Sequence, residues 1–479
     1  MKLKHFVKTA LALALFIAPL PTWAASAKNP NIVIILVDDM GYGDIGPFGS
    51  KLHRTPNLDR LASEGMLLTS FYCAPYCSAS RAQLMTGCYS KRVSIGDAMG
   101  PCAAGGLNPK EKTIADLLKP QGYATMIVGK WHLGDQPEFL PTRHGFDHYL
   151  GLPYSHDYDR TDTPENAAKN AKNPLPLLRD EKVIQAPPDL DKLEEMYTEE
   201  AVKFITANKD RPFFLYLPHS AVHTPLHPGA AFKGKSKNGL YGDWVEEVDW
   251  STGRVLETLK ELKLDQNTLV IFTSDNGGIS KEASNAPFRG KKGSTWEGGL
   301  REPTIVRWPG RIAAGSTCDA ITSEMDVLPT VVRLVGGQVP TDRKIDGLDI
   351  WLILSGQSKN SPHEAIYYFL AGSLQAVRSG SWKLVIADQK NTIEKGEMVA
   401  ASVQSPRLYN LDRDIGETTD VAAQNPDVVK RMQELIAKMD GDLGIKPSVG
   451  RDNHAPGVRP SGRSDHPKHL LMRVPSEYD

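Results

Sequence analysis

The sequence predicts an α/β protein: a large, mostly parallel central sheet flanked by helices, then a smaller C-terminal α+β domain on an antiparallel sheet. Three features point that way. Apolar, branched runs alternate with helical stretches from "NPNIVIILVDDMGYGD" to "TLVIFTSDNGG", as strands buried on both faces do. Several of those runs end in charged residues, and an open parallel sheet collects ligands at the carboxyl ends of its strands. Past about residue 365, short strands follow one another without helices between them, which suits an antiparallel sheet.

In chain order, "NIVIILV" is a buried strand that ends in Asp38, Asp39 and glycines. "TPNLDRLASEG" is a helix with Thr55 as N-cap, Pro56 at its first position and Gly65 as stop. "RAQLMTG" reads as the start of another helix, with Cys77 at or before its N-terminus. "TIADLLKPQGY" is a helix leading into the strand "ATMIVGKWHLG". "NAAKNAKNPLPL" reads as an exposed loop. A helix in "EEMYTEEAVKFITANKD" precedes the strand "PFFLYLPHSAVH", and a long amphipathic helix in "YGDWVEEVDWSTGRVLETLKELKL" precedes "TLVIFTSDNGG". "EAIYYFLAG", "LQAVRSGSWKLVIA" and "PRLYNLD" are short strands, and "NPDVVKRMQELIAKMDGDLG" is a helix. The expected division is a leader over 1–27, a catalytic domain over 28–365, an antiparallel-sheet subdomain over 366–448 and an extended or mobile Pro/Gly-rich tail over 449–479.

The leader rests on three lysines in "MKLKHFVK", a short apolar core and small residues in "AASA", the pattern of a secretory signal peptide. Pro19 and Pro21 interrupt the apolar run, which is also short for a membrane anchor. Periplasmic or secreted localisation follows, with no stable membrane anchor. Formal net charge is -1 over 479 residues, so no basic excess points to nucleic acid. Export permits disulfides, and the cysteines stand at 73, 77, 88, 102 and 318. An odd count leaves at least one unpaired in a monomer.

The polar residues gather at predicted strand ends. Asp38, Asp39, Asp275 and Asn276 offer hard oxygen donors that suit calcium or magnesium rather than zinc. Arg81, Lys130, His132, His223 and Lys292 add a basic set, with Lys130 and His132 on one face if "GKWHLG" stays extended. A divalent cation beside Lys and Arg implies an anionic substrate and suits transfer of a phosphoryl or sulfuryl group. From its own segment, Cys77 is a nucleophile at a helix N-terminus, a buried structural thiol, or a disulfide partner of Cys73 or Cys88.

These motifs resemble the formylglycine-dependent sulfatase family of the alkaline-phosphatase-like superfamily, in particular its arylsulfatase A and N-acetylgalactosamine-6-sulfatase group. The similarity runs from "NIVIILVDDMGYGD" through "TPNLDRLASEG", "CSASRAQLMTG", "GYATMIVGKWHLG", "GLPYSHD" and "APFRGKKGSTWEGGLREP" to "PRLYNLDRDIGE". The resemblance implies that a maturation enzyme oxidises Cys77 to formylglycine, whose hydrate attacks sulfur with one hydroxyl and expels sulfate with the other. It implies metal ligands Asp38, Asp39, Asp275 and Asn276, with the modified Cys77 completing the shell around calcium, or alternatively magnesium. Arg81 then stabilises the hydrate, and Lys130 and Lys292 bind sulfate. His132 acts as base, and His223 sits near the leaving oxygen as an acid alongside Lys292. Ser155 lines the sulfate pocket. Lys292 rather than Lys291 is the site lysine by its spacing to "WEGG". The expected partners are a sulfated carbohydrate or aryl sulfate and the maturation enzyme. One position departs from the family pattern: Ala79 stands where Pro is usual, in the segment the maturation enzyme reads. The alternatives are a phosphate or phosphonate ester hydrolase of the same superfamily, and a non-catalytic anion- or glycan-binding protein that keeps Cys77 as a thiol.

Overall fold

In the computed structural model, which describes residues 29–159, 163–394, 397–446 and 455–472, the first apolar run forms the strand Asn31–Val37. Ile32, Ile34 and Leu36 point into one hydrophobic layer, and Val33, Ile35 and Val37 into the other. Period-two alternation with both faces apolar therefore places this strand mid-sheet. Phe213–Pro218 pairs with it on one side and Thr268–Ser274 on the other, both parallel. Ala124–Val128 and His148–Gly151 extend the parallel set.

Among the described residues the sheet has eleven strands. Antiparallel pairs flank this parallel set: Arg301–Arg307 runs against Thr268–Ser274, and Leu177–Arg179 against His148–Gly151. The helices Leu193–Ala207 and Gly239–Glu261 bury Tyr197, Phe204, Trp244 and Val248 on one face. Val327–Leu334 covers the other through Val327, Leu328 and Val331.

The C-terminal unit is a four-stranded antiparallel sheet over Ile366–Leu370, Ser373–Ser379, Trp382–Glu394 and Glu397–Asn410. The helix Pro426–Leu443 packs Met432, Leu435, Ile436 and Met439 onto it. On the other side of this sheet, Tyr368, Ala376 and Val385 meet Tyr72, Trp296 and Leu300 of the large domain. Residues 455–472 are docked: Gly462–Arg463 pairs with Gly105–Gly106, and Arg459 bonds Glu111.

Some local expectations change. The stretch read as a loop, 166–177, instead takes up most of the helix Pro164–Lys172 and ends at Leu177, the first residue of the strand Leu177–Arg179. Its alanines and lysines are good helix formers that outweigh the turn preference of the asparagines. Thr55 precedes the helix Pro56–Ser63, but its hydroxyl accepts from Gly46 N–H at 2.9 Å instead of capping that helix. No disulfide joins the five cysteines. The leader lies outside the described residues. No helix among the described residues is long and apolar enough to cross a membrane.

One buried pair gives a pH test. His363 Nε2 meets both carboxylate oxygens of Asp326 at 2.8 and 2.9 Å. Burial disfavours its charge, but Asp326 outweighs burial and raises the pKa above the ordinary 6.5. A raised folded pKa contributes stability that is fully present below the unfolded value and is lost as pH rises through the folded one. The stability gap between wild type and His363→Gln should therefore shrink from mildly acid to alkaline pH in thermal melts. A constant gap would contradict the assignment.

Candidate active site

Each strand-end residue reaches one cavity through a break in regular backbone. Asp38 and Asp39 follow the first strand, and Asp39 takes a left-handed φ of 60°. Asp275 and Asn276 follow Thr268–Ser274, and Asp39 N–H donates to Asp275 Oδ1 at 3.2 Å. The strand expected through "GKWHLG" stops at Val128. Gly129 turns the chain with φ 131°, and a Cβ there would lie 1.9 Å from Pro218 O. Lys130 and His132 are thus not on one extended face, and His132 itself has φ 61°.

The helix Cys77–Thr86 begins at Cys77 and ends at Gly87, whose φ is 67°. Its free N–H groups face the region where an anion would sit. Ala79 is the third residue of this helix, where no intrahelical carbonyl is available to its N–H. The folded helix would therefore accept Pro at this position as well, so Ala79 is not required by the fold.

Buried ion pairs knit the residues together. Arg81 is fully buried and donates to Asp275 Oδ2 from Nη2 at 2.8 Å and to Lys130 O from Nη1 at 2.6 Å. Lys130 Nζ donates to Asp38 Oδ2. Lys292 Nζ lies 2.7 Å from Asp39 Oδ1 and 3.1 Å from Cys77 Sγ, whereas Lys291 is exposed. His223 Nε2 lies 3.5 Å from Asp39 Oδ2, and its Nδ1–H donates to Thr224 O. His132 Nε2–H donates to Met99 O at 2.8 Å, which leaves Nδ1 buried without a hydrogen-bond partner. Ser155 is buried at the start of "SHD", one residue before a short 3-10 helix.

Burial works against charge on Asp38, yet Lys130, His223, Arg81 and Lys292 hold its carboxyl well below the usual range. Burial and the neighbouring Asp38 push Asp275 up to about 7. Burial, then Lys130 and Arg81, push His132 well below its ordinary value. Burial also lowers His223, although Asp39 opposes it. Both imidazoles are therefore neutral at physiological pH and able to take a proton. Burial and Asp38 raise the Cys77 thiol well above its ordinary value, so as a thiol it is protonated and a poor nucleophile.

The acidic set fits a divalent cation. One ligand atom from each of Asp38, Asp39, Cys77 and Asp275 lies within 4.8 Å of the others. Asp38 Oδ1 and Asn276 Oδ1 are buried without hydrogen-bond partners. Hard oxygens in this number suit calcium or magnesium.

A residue that the sequence did not single out shapes the cavity. Glu194 Oε1 accepts from Ser220 N–H at 3.0 Å and Ala221 N–H at 2.8 Å, and Oε2 pairs with His219. Ala221 O in turn accepts from Asp38 N–H at 2.8 Å, and Val222 N–H donates to Asp38 O at 2.7 Å. Glu194 thereby fixes the loop that presents His223 against the first strand. Its own segment, "EEMYTEE", reads as a solvated helix face.

A parallel α/β sheet carrying an acidic metal-type cluster, two lysines, an arginine and two histidines at one edge defines a hydrolase of tetrahedral anionic esters. The comparisons specify which. Residues 30–337 match the sulfatase family model, and 361–465 match the C-terminal region of aryl-sulfatase. The mouse (Mus musculus) N-acetylgalactosamine-6-sulfatase is 39% identical, over 94% of this chain and 95% of its own length. Mouse steryl-sulfatase is 34% identical, over 93% and 85%. The crystal structure of PsFucS1 sulfatase from Pseudoalteromonas sp. superposes with a TM-score of 0.78 at 31% identity, covering 86% of this chain and 91% of that one. The chain belongs to the sulfatase family and is a sulfuric ester hydrolase.

Proposed function

We propose that this chain is an exported sulfatase acting on sulfated sugars, through formylglycine made from Cys77 and one divalent cation held by Asp38, Asp39, Asp275 and Asn276. The observation that carries this is the placement of Cys77: first residue of a helix, buried, with Lys292 Nζ 3.1 Å from its sulfur. The sugar substrate is supported by the N-acetylgalactosamine-6-sulfatase relative, and export by the N-terminal leader. The donor set favours calcium, with magnesium as the alternative. The implied partners are the sulfated substrate and a formylglycine-generating enzyme.

The formylglycine hydrate supplies a hydroxyl nucleophile, and the cation supplies positive charge beside the sulfate oxygens. The remaining work falls to the chain's own side chains. Lys130 and Lys292 bind the sulfate oxygens and stabilise charge as it shifts. Arg81, held by Asp275 and by Lys130 O, holds residue 77 in position. His132 receives a proton at Nδ1, because Nε2 is committed to Met99 O. His223 has Nε2 as its titrating atom, because Nδ1 is committed to Thr224 O; neutral in the free protein, it takes up a proton there when the anionic substrate is bound and, with Lys292, passes it to the leaving alcohol. Ser155 contributes a hydroxyl to the sulfate pocket. The bond between sulfur and the alcohol oxygen breaks, and water provides the oxygen that completes inorganic sulfate.

Matched aryl sulfate and aryl phosphate substrates test this assignment. The sulfate ester should turn over about a hundredfold faster or more. Preference for the phosphate would replace the sulfatase with a phosphate ester hydrolase on the same scaffold.

A further inference from the structure

Next to the sulfate site lies a second cavity of about 390 Å³, walled by Tyr154, Tyr158, Asn173, Leu175 and His469 over a floor at Gly100–Cys102. We propose that it binds a pyranose ring adjoining the sulfated sugar, so that the protein acts on sulfated oligosaccharides in preference to free sulfated monosaccharides. This rests on the sulfated-sugar assignment above.

The cavity and the sulfate site are built from neighbouring residues. Gly100 follows Met99, whose carbonyl accepts from His132, and Tyr154 precedes Ser155. Tyr158 packs over Gly100, where a Cβ would lie 3.0 Å from the tyrosine hydroxyl.

The lining suits a sugar. The two tyrosine rings meet at 86° with centroids 5.8 Å apart. Tyr154 is buried, and its hydroxyl meets His469 Nε2 at 3.3 Å. Tyr158 remains 37% exposed, so part of its ring is open to a ligand. A pyranose has apolar C–H faces and a polar rim. Aromatic walls combined with an amide, an imidazole and phenolic hydroxyls match both. The volume, near the lower end for small-ligand pockets at about 300 Å³, suits one ring. The wall is also anchored: Gln136 and Lys468 exchange hydrogen bonds at 3.1 and 3.3 Å next to His469, and Leu470 is buried beyond it.

The test compares kcat/KM for one sulfated monosaccharide with that for the same unit inside a disaccharide. Wild type should prefer the disaccharide about tenfold or more. Tyr158→Ala should bring the ratio close to one, and Tyr158→Phe, which keeps the ring, should retain it. As a measurement on wild type alone, the desulfated disaccharide should inhibit more strongly than the desulfated monosaccharide. Equal kcat/KM values in wild type, equal inhibition, or a ratio unmoved by Tyr158→Ala would overturn the subsite and leave the sulfatase assignment standing. Release of sulfate from aryl esters but from neither sugar would overturn the sugar assignment and the subsite with it.

Discussion

Cys77→Ala should lower sulfate release by about a thousandfold or more in kcat while the protein still folds. The side chain is buried at the start of a helix, and alanine is smaller and a good helix former. Alanine keeps the β-carbon but lacks the thiol whose oxidation makes that carbon an aldehyde, so no hydrate and no attacking hydroxyl can form. Arg81, Lys130, His132 and Lys292 are left intact around an empty position, able to bind sulfate but with nothing to attack it. Cys77→Ser sharpens the test. It retains one hydroxyl, but a sulfate ester on ordinary serine has no second hydroxyl to expel sulfate. Any reaction should stop once one sulfate is esterified to each chain, visible as a stoichiometric burst of released alcohol with no free sulfate and no steady turnover. Steady turnover in either variant, measured by sulfate release, would remove Cys77 from the chemistry.

The second large effect concerns how the two domains are held together. Glu297, in the "WEGG" segment, is fully buried in their interface. It accepts from Tyr72 Oη at 2.5 Å, Tyr368 Oη at 2.9 Å and Lys383 Nζ at 3.0 Å. Arg301 and Arg378 lie at 3.4 and 3.5 Å. Burial alone would raise its pKa, but Lys383, Arg378 and Arg301 hold it far below the ordinary 4.5. A depressed folded pKa stabilises above the unfolded value and fails only as pH falls through the folded one, so the cluster is intact at neutral pH. Glu297→Ala removes the carboxylate those cations share, leaving Glu417 paired with Lys383 at 2.7 Å, and should cost about 3–5 kcal/mol. Denaturant unfolding at neutral pH should show a clearly lower midpoint. An unchanged midpoint would mean that the cluster does not hold the domains together.

Much of the catalytic edge was legible because its residues follow directly on apolar strands. Asp38 and Asp39 end "NIVIILV", and Asp275 and Asn276 end "TLVIFTS"; the parallel sheet gathers them without further information. Arg81 was legible in a helix with Cys77 at or before its N-terminus; the helix in fact begins at Cys77, which sets the two four residues apart on one face. Lys130 and His132 were legible as residues but not as geometry, because positive φ at Gly129 and His132 breaks the extended chain that their spacing implied. Glu194 was hidden for another reason. A Glu among other Glu residues on an amphipathic helix looks solvated, and only the loop folding over it buries it. The tail's part in walling a cavity was equally hidden, since contacts spanning more than three hundred residues leave no local pattern in a polar, Pro/Gly-rich segment.

Catalysis through formylglycine depends on the chemical state of residue 77. Mass spectrometry of the peptide containing Cys77, from protein produced with a competent formylglycine-generating enzyme, reads that state directly. The expected peptide has one oxygen in place of the thiol sulfur and two hydrogens, despite Ala79. A peptide that retains the intact thiol in protein that nonetheless releases sulfate would contradict catalysis through formylglycine.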